Sequence, residues 1–319
     1  MISLHRAIAI ISCCMLFFSC SKDIAFSLEG NCFDFPPSTG PFGYSYQYPA
    51  SLYLAPCFNP NNSNEFVYVR ETKSTGQTEL RIKNRSTGND YLLTTSIFQK
   101  PDWGRNGWIL FNHGDNNVWK IKSNGDSLTQ LTFTSSCFDA VWNYAGDRYV
   151  FRRTDGANNY SIIADDEGNP LDTLPGFILS NGSWSNDSQK ISSPVSTGPS
   201  SNAIISINPN TGQISEVAAI EIGDAKDIIS YSDWFPDSQR LLWKTSRSFF
   251  ITDLPGLQTQ IIKTFCDTKL YVVIDISGDG SKIIASRWDQ KLIGDNTIFS
   301  ESNIYIMNAD GTGEVKIHF

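Results

Sequence analysis

Short apolar alternations run along the chain from about residue 50 to Phe319, broken every few positions by Asn, Asp, Gly, Ser and Pro. Alternation over a few residues predicts a half-buried strand, and the polar breaks predict turns. The closing stretch ESNIYIMNADGTGEVKIHF sets two such runs about the turn Asn308-Ala309-Asp310-Gly311. The same plan places Val118–Ile121 and Leu128–Thr132 about Ser123–Asp126, and Ser161–Ala164 and Leu171–Leu174 about Asp165–Gly168. It recurs with Ile204–Ile207 and Ile214–Val217 about Asn208–Gly212, and more loosely at Leu80–Thr94 and Phe249–Ile262.

A second hairpin precedes each of these. Its best copy is Trp234-Phe235-Pro236-Asp237-Ser238-Gln239-Arg240-Leu241-Leu242-Trp243. Pro, then Asp or Asn, then Gly or Ser is the composition of a tight turn. The residues that lead these hairpins are Phe58, Trp103, Trp142, Trp184, Trp234 and Ile276, spaced by 45, 39, 42, 50 and 42 positions. A period near 40–45 residues with four short strands in each repeat predicts propeller blades. The fold expected is all-β: a six-bladed β-propeller with four antiparallel strands per blade. The lead residues are expected to pack between blades, since no blade buries its faces alone. Trp119 and Trp243 alternate with apolar neighbours and are expected in the same core.

The stretches Tyr231–Thr245 and Ile304–Gly313 resemble the W-S-P-D-G-x-x-I-A-F and I-Y-x-M-N-A-D-G motifs of the TolB-like propellers, a WD-repeat-like group. The resemblance covers about residues 50–319 and implies six blades in one domain. It also implies, as one version of function, a scaffold in an envelope complex. TolB itself resembles a two-domain protein, with an α/β domain ahead of its propeller. Here only residues 21–49 precede blade one, and FDFPPSTGPFGYSYQYPA reads as an extended tether. Blade six completes its four strands from its own residues, so no velcro strand exchange is expected. An exchange involving residues 24–50 would show as that segment pairing on blade six.

Residues 1–19 read as a lipoprotein signal peptide. Arg6 precedes an apolar run from Ala7 to Phe18 that is short for a membrane span. Phe17-Phe18-Ser19-Cys20 resembles a lipobox, which implies lipidation at Cys20, and Ser21 after it implies the outer membrane. The expected organisation is a signal peptide over 1–19, a lipidated tether over 20–49 and a propeller over 50–319. Four cysteines follow the leader, Cys32, Cys57, Cys137 and Cys266. They allow three pairings, or buried thiols. Cys32 with Cys57 is the favoured bridge, because both lie in the N-terminal part.

Charge changes the picture little. The net charge of −8 excludes nucleic acid as an expected partner, because no basic stripe offsets it. The chemistry on offer is sparse. Beyond the leader there are two histidines: His113, in a hairpin turn, and His318, in an expected outer strand. No G-x-S-x-G occurs. Asp275–Gly280 and Asn308–Gly311 are oxygen-rich, yet they lack a full ligand ladder and read as turns. No cofactor and no metal is expected.

The acids Asp102, Asp139 and Asp233 precede lead residues closely and are expected to face the channel. There they could bind a cation or basic peptide, serve a glycosidic pair, or line wet walls. Trp288, within a long insert at Arg287–Asn303, is the expected loop contact, and Val195–Asn202 is the other extended loop. The function expected is a non-catalytic binding or scaffold lipoprotein of the cell envelope, periplasmic or surface-facing and monomeric, with a protein, peptide or glycan partner. The alternative is a glycan-active enzyme using the channel acids.

Overall fold

Six sheets succeed one another along the chain, and each is a meander of neighbours in sequence. The computed structural model describes residues 43–134, 136–198, 201–221, 228–266 and 268–319. A short strand, β1 (Ser45–Gln47), comes first. Blade one is β2 (Ser51–Asn59), β3 (Asn62–Thr72), β4 (Gln77–Asn84) and β5 (Asp90–Thr95). Blade two is β6 (Ile97–Trp103), β7 (Trp108–His113), β8 (Val118–Lys122) and β9 (Thr129–Gln130). Blade three is β10 (Cys137–Trp142), β11 (Arg148–Asp155), β12 (Asn158–Asp165) and β13 (Pro170–Leu174). Blade four has β14 (Ile191–Gly198), β15 (Ser201–Ile207) and β16 (Ile214–Glu221). Blade five is β17 (Tyr231–Trp234), β18 (Arg240–Lys244), β19 (Ser248–Asp253) and β20 (Gln258–Thr264). Blade six is β21 (Lys269–Ile276), β22 (Lys282–Gly294), β23 (Thr297–Asn308) and β24 (Val315–Lys316).

The innermost strand of blade four is reduced to a bridge between Trp184 and Ile191. Side chains replace the missing ladder. Ser193 Oγ accepts from Ser180 N–H and donates to Ile178 C=O, and Ser161 Oγ of blade three accepts from Leu179 N–H. Buried backbone groups need partners of some kind, and these serines supply them. Gly182 lets the segment approach, since a Cβ there would lie 1.7 Å from Ser192 O.

First strands neighbour each other round the axis: β2 touches β6 and β21, β6 touches β10, and β17 touches β21. Apolar clusters fill the seams between blades. Because successive side chains leave a strand on opposite faces, neighbouring residues serve different seams. Ile283 packs toward blade five and Ile284 toward blade one. Leu241 packs toward blade four and Leu242 toward blade six. Second strands buried on both faces therefore read as unbroken apolar runs, as in Phe66-Val67-Tyr68-Val69. Each lead residue lies in the seam with the preceding blade: Phe58 with blade six, Trp103 with blade one, Trp142 with blade two, Trp184 with blade three, Trp234 with blade four and Ile276 with blade five.

The ring closes by packing blade six on blade one. Ser302 Oγ donates to Tyr53 C=O at 2.9 Å, and the Phe319 ring stacks on Tyr53 at 3.9 Å. One feature differs from expectation. Residues 45–47 do pair on blade six, parallel to Thr297–Phe299 of β23. They exchange for nothing, because β24 fills the same edge further along at Tyr305 and Ile306. β1 is thus a fifth strand on an extension of the blade.

Two further expectations are corrected, one in that extension and one in blade four. The insert Arg287–Asn303 is a hairpin paired out to Gly294 and Thr297, where a loop was expected. The alternation of the inserted residues suits a ladder, and β1 partners its outer edge. In blade four, 195–198 likewise belong to β14 and 201–202 to β15, paired at Val195–Ala203 and Ser196–Asn202, while residues 199–200 lie outside the described residues. His318 lies beyond β24, outside any strand. Cys57 is a buried thiol, so the bridge to Cys32 is not formed. Cys266 is disulfide-bonded, and its partner lies outside the described residues.

Candidate functional site

The inner strands do not run straight. Their ladders slip between Leu54 and Cys57, Phe98 and Asp102, Phe138 and Val141, and Tyr271 and Ile274. Ala55, Gln99 and Asp139 take positive φ at the first three of these places, and Asn181 does so in the segment before Trp184. A bulge of this kind re-aims the residues that follow it, and here they line the channel.

The residue before five of the six lead positions has a shared task. Asp102 Oδ2 accepts the N–H of Trp142 at 2.7 Å, Asp233 Oδ2 that of Ile276 at 2.9 Å, and Asp275 Oδ2 that of Phe58 at 2.8 Å. Ser183 Oγ accepts from Trp234 N–H at 3.1 Å, and Cys57 Sγ from Trp103 N–H at 3.4 Å. Each of these side chains ties its own blade to the next. At the sixth position stands Val141, which has no acceptor to offer Trp184.

Among the described residues, Lys100 is the cation ion-paired with these acids. Lys100 Nζ lies 2.7 Å from Asp275 Oδ1. Burial opposes its charge, but Asp275, Cys57, Asp233 and Asp102 around it hold its ammonium well above the ordinary lysine range. Burial also pushes Asp102 up to about 6, against the pull of Lys100 and the Trp142 N–H. Burial, followed by repulsion from Asp275, pushes Asp233 up to about 7. Desolvation disfavours a lone carboxylate, and a like charge nearby adds to the effect. The Cys57 thiol is pushed well up by burial and by Asp275, which makes it a poor nucleophile.

The tie residues, the lead residues and the first hairpin turns, Arg105, Tyr144 and Gly278 among them, together line a cavity of about 110 Å³. A second space of about 20 Å³ lies among Lys100, Asp102, Asp139, Asn181 and Tyr231. Asp102 and Asp233 thus share the larger cavity, and Asp139 belongs to the smaller. Asp139 pairs with Arg152 at 3.1 Å, and burial raises its carboxyl pKa against that pull.

Trp288 is half-buried in β22, edge-on to Tyr48 at 6.1 Å. His113 lies 3.5 Å from Asp115 and beside the Trp119 ring, away from the channel acids. Cys20 lies outside the described residues. Among the described residues no group of three or more His, Cys, Asp or Glu side chains is arranged to hold a metal. Sequence reasoning missed Lys100, Asp275, Ser183 and Cys57 as channel residues. The signal was present: the position before the lead residue is Cys, Asp, Val, Ser, Asp and Asp in blade order.

Another buried amine lies outside the channel ties. Lys244 is 2 % exposed, donates to Ser230 Oγ at 2.6 Å, and burial lowers its pKa to about 7. Lys244→Met is expected to raise stability by about 1–3 kcal/mol at pH 6, where the native ammonium is charged and lacks a carboxylate. The folded pKa is depressed, so the penalty is present below about 7 and fades as pH rises toward the ordinary value. Urea midpoints at pH 6 and pH 9 check this, and an equal gain at both would contradict it.

With the geometry in hand, similarity to solved structures decides the fold. A putative TolB from Agrobacterium tumefaciens superposes with a TM-score of 0.59 at 16 % identity, over 73 % of this chain and 86 % of that one. The fold is that of the TolB-like propellers. TolB from Acinetobacter baumannii gives 0.55 at 18 % identity, over 65 % of this chain and 53 % of that one, so the chain spans about half its length. An oligogalacturonate lyase in complex with manganese gives 0.52 at 11 % identity, over 84 % and 78 %. No protein-family description and no curated protein matches the chain. These likenesses show the fold alone, and an enzyme shares the architecture, so the role must be argued from the site.

Proposed function

We propose that this chain is a non-catalytic binding or scaffold protein of the bacterial cell envelope, anchored by lipid on Cys20, that presents its channel mouth to a partner. The observation that carries this reading is the use of the channel acids. Asp102, Asp233 and Asp275 each hold the backbone N–H of a neighbouring blade, and Asp275 also holds Lys100. A glycosidic pair needs two carboxyl groups facing one sugar, with space between them. Here the acids line the cavity of about 110 Å³, but each is already engaged as a tie between blades. A rigid ring whose turns surround a small opening suits recognition by a pre-formed surface.

Three measurements test this. Cross-linking on intact cells, followed by affinity recovery of the full chain, should return an envelope partner, and recovery of the chain alone would count against the scaffold. Incubation with a polysaccharide panel should give no products. Turnover that disappears in Asp102→Asn or Asp233→Asn would establish the enzyme in its place. Labelled palmitate should enter the parent and not Cys20→Ala, and equal labelling of both would sink the anchor.

A further inference from the structure

Arg105 stands where four blades meet at the channel mouth. It belongs to the first turn of blade two. Its guanidinium lies over the Tyr144 ring of blade three at 4.4 Å. Nη2 reaches Gly278 C=O of blade six and Nη1 reaches Asn61 Oδ1 of blade one, each at a long 3.4 Å. The Arg105 carbonyl in turn accepts from Asn61 Nδ2 at 3.1 Å. The group is held flat and fixed from several sides, yet its two hydrogen bonds are weak ones by length.

Among the described residues no carboxylate pairs with it. Arg152, Arg240 and Arg287 each carry an acid at 3.1 Å or less, whereas Arg105 carries none. A guanidinium has five N–H donors in a rigid fork matched to a carboxylate, and only two bonds are made here. Asp279, across the opening, is occupied by Ser277 and by Ser281. Arg105 also lines both the mouth cavity of about 110 Å³ and a neighbouring space of about 310 Å³, which it shares with Pro60, Asn61, Asn62, Ser63, Gly278 and the already engaged Asp279.

We propose that Arg105 is a carboxylate anchor, and that the partner inserts a peptide carboxylate at this mouth. The inference rests on the binding role proposed above and names the chemistry the site takes. Overall charge selects the source. The chain carries −8, so a polyanionic glycan is repelled as a whole, while a single carboxylate gains the local pairing. The size of the mouth cavity suits one side chain or one chain end. Tyr144 beside the guanidinium, 41 % exposed, offers an apolar face to the residue bearing the carboxylate.

The test is a titration of the full-length chain followed through the Arg105 Nε–H resonance, assigned by its absence in Arg105→Gln. The probes are N-acetyl-phenylalanine, its amide, N-acetyl-glutamate amide and tri-galacturonate. A carboxylate on a peptide probe should shift the Arg105 signal, and the matched amide should bind at least about tenfold more weakly. The phenylalanine and glutamate probes distinguish a chain end from an acidic side chain. Arg105→Gln should lose the preference, and Arg105→Lys should keep only part of it, because an ammonium lacks the fork. Unchanged thermal unfolding of both variants shows that the ring is intact.

Equal binding of acid and amide, preference retained in Arg105→Gln, or no shift with any peptide probe would overturn the anchor. A shift with tri-galacturonate alone would overturn the peptide. Recovery of the same envelope partner by the parent and by Arg105→Gln would leave the binding role standing and remove the anchor.

Discussion

Lys100→Met is expected to destabilise the propeller by roughly 3–5 kcal/mol, the cost of stranding a buried charge. Lys100 is the cation that faces Asp275, at 2.7 Å. Without it, Asp275 stays buried beside Asp233 with only the Phe58 N–H to stabilise its charge. The pair joins blade two to blade six across the axis, so its loss affects more than one seam. Lys100→Met combined with Asp275→Asn should recover most of the loss, because an amide can still accept from Phe58 while needing no counter-charge. Urea unfolding at pH 7.5 gives the comparison. A loss below about 1 kcal/mol in the single variant would mean that the lumen solvates Asp275 by itself.

The second large effect is at Asp233. Its folded pKa is about 7, against an ordinary value of 3.8. Between those values the folded chain keeps a proton that the unfolded chain releases. This contribution to stability is fully present below about pH 4 and is lost as pH rises through about 7. Asp102, raised to about 6, acts with the same sign. The protein should therefore be more stable at pH 5 than at pH 7 as far as these acids govern it, and Asp102→Asn with Asp233→Asn should flatten the difference.

Asp233→Asn should be more stable than the parent at pH 7.5 by up to a few kcal/mol, on the scale of about 1.4 kcal/mol per unit of pKa shift. Asp233→Ala should gain less than Asn, by about 1–3 kcal/mol, because the Ile276 N–H is left without an acceptor. The acids held low by turn hydrogen bonds, Asp237 and Asp279 among them, work in the opposite direction only at lower pH. Parental stability independent of pH between 5 and 7 would refute the buried-acid account.

The sequence disclosed the ring more readily than its centre. Lead residues are legible because a Trp before a Pro-Asp-Ser turn is a local pattern, and the period of such patterns is the blade. Seam packing follows from alternation, which a one-residue slip would invert. The centre is assembled from positions far apart in the chain. Lys100 and Asp275 meet across 175 residues, and nothing local marks a lysine as buried. Asp275 was hidden by its neighbours, since Ser277 to Gly280 so clearly form a turn. The bulges at Gln99 and Asp139 depend on side-chain contact between blades, where Gln99 Oε1 accepts from Asp139 N–H at 3.2 Å. The parallel pairing of β1 was obscured because SYQ carries no strong strand pattern and its partner edge exists only once the long hairpin is built.

Val141 gives the ring a direction in which to yield. Five seams are fixed at the lumen by hydrogen bonds, which specify both length and angle. The seam between blades three and four meets there through apolar contact, which specifies neither, and its hydrogen bond from Leu179 N–H to Ser161 Oγ lies away from the lead residue. The propeller therefore resembles a split washer more than a closed collar. A guest too wide for the lumen would enter by sliding blade four along blade three, and Trp184 would be the first lead residue to feel it. Amide exchange should report this, with Trp184 N–H exchanging before those of Trp142 and Trp234. The reverse order would place the give elsewhere in the ring.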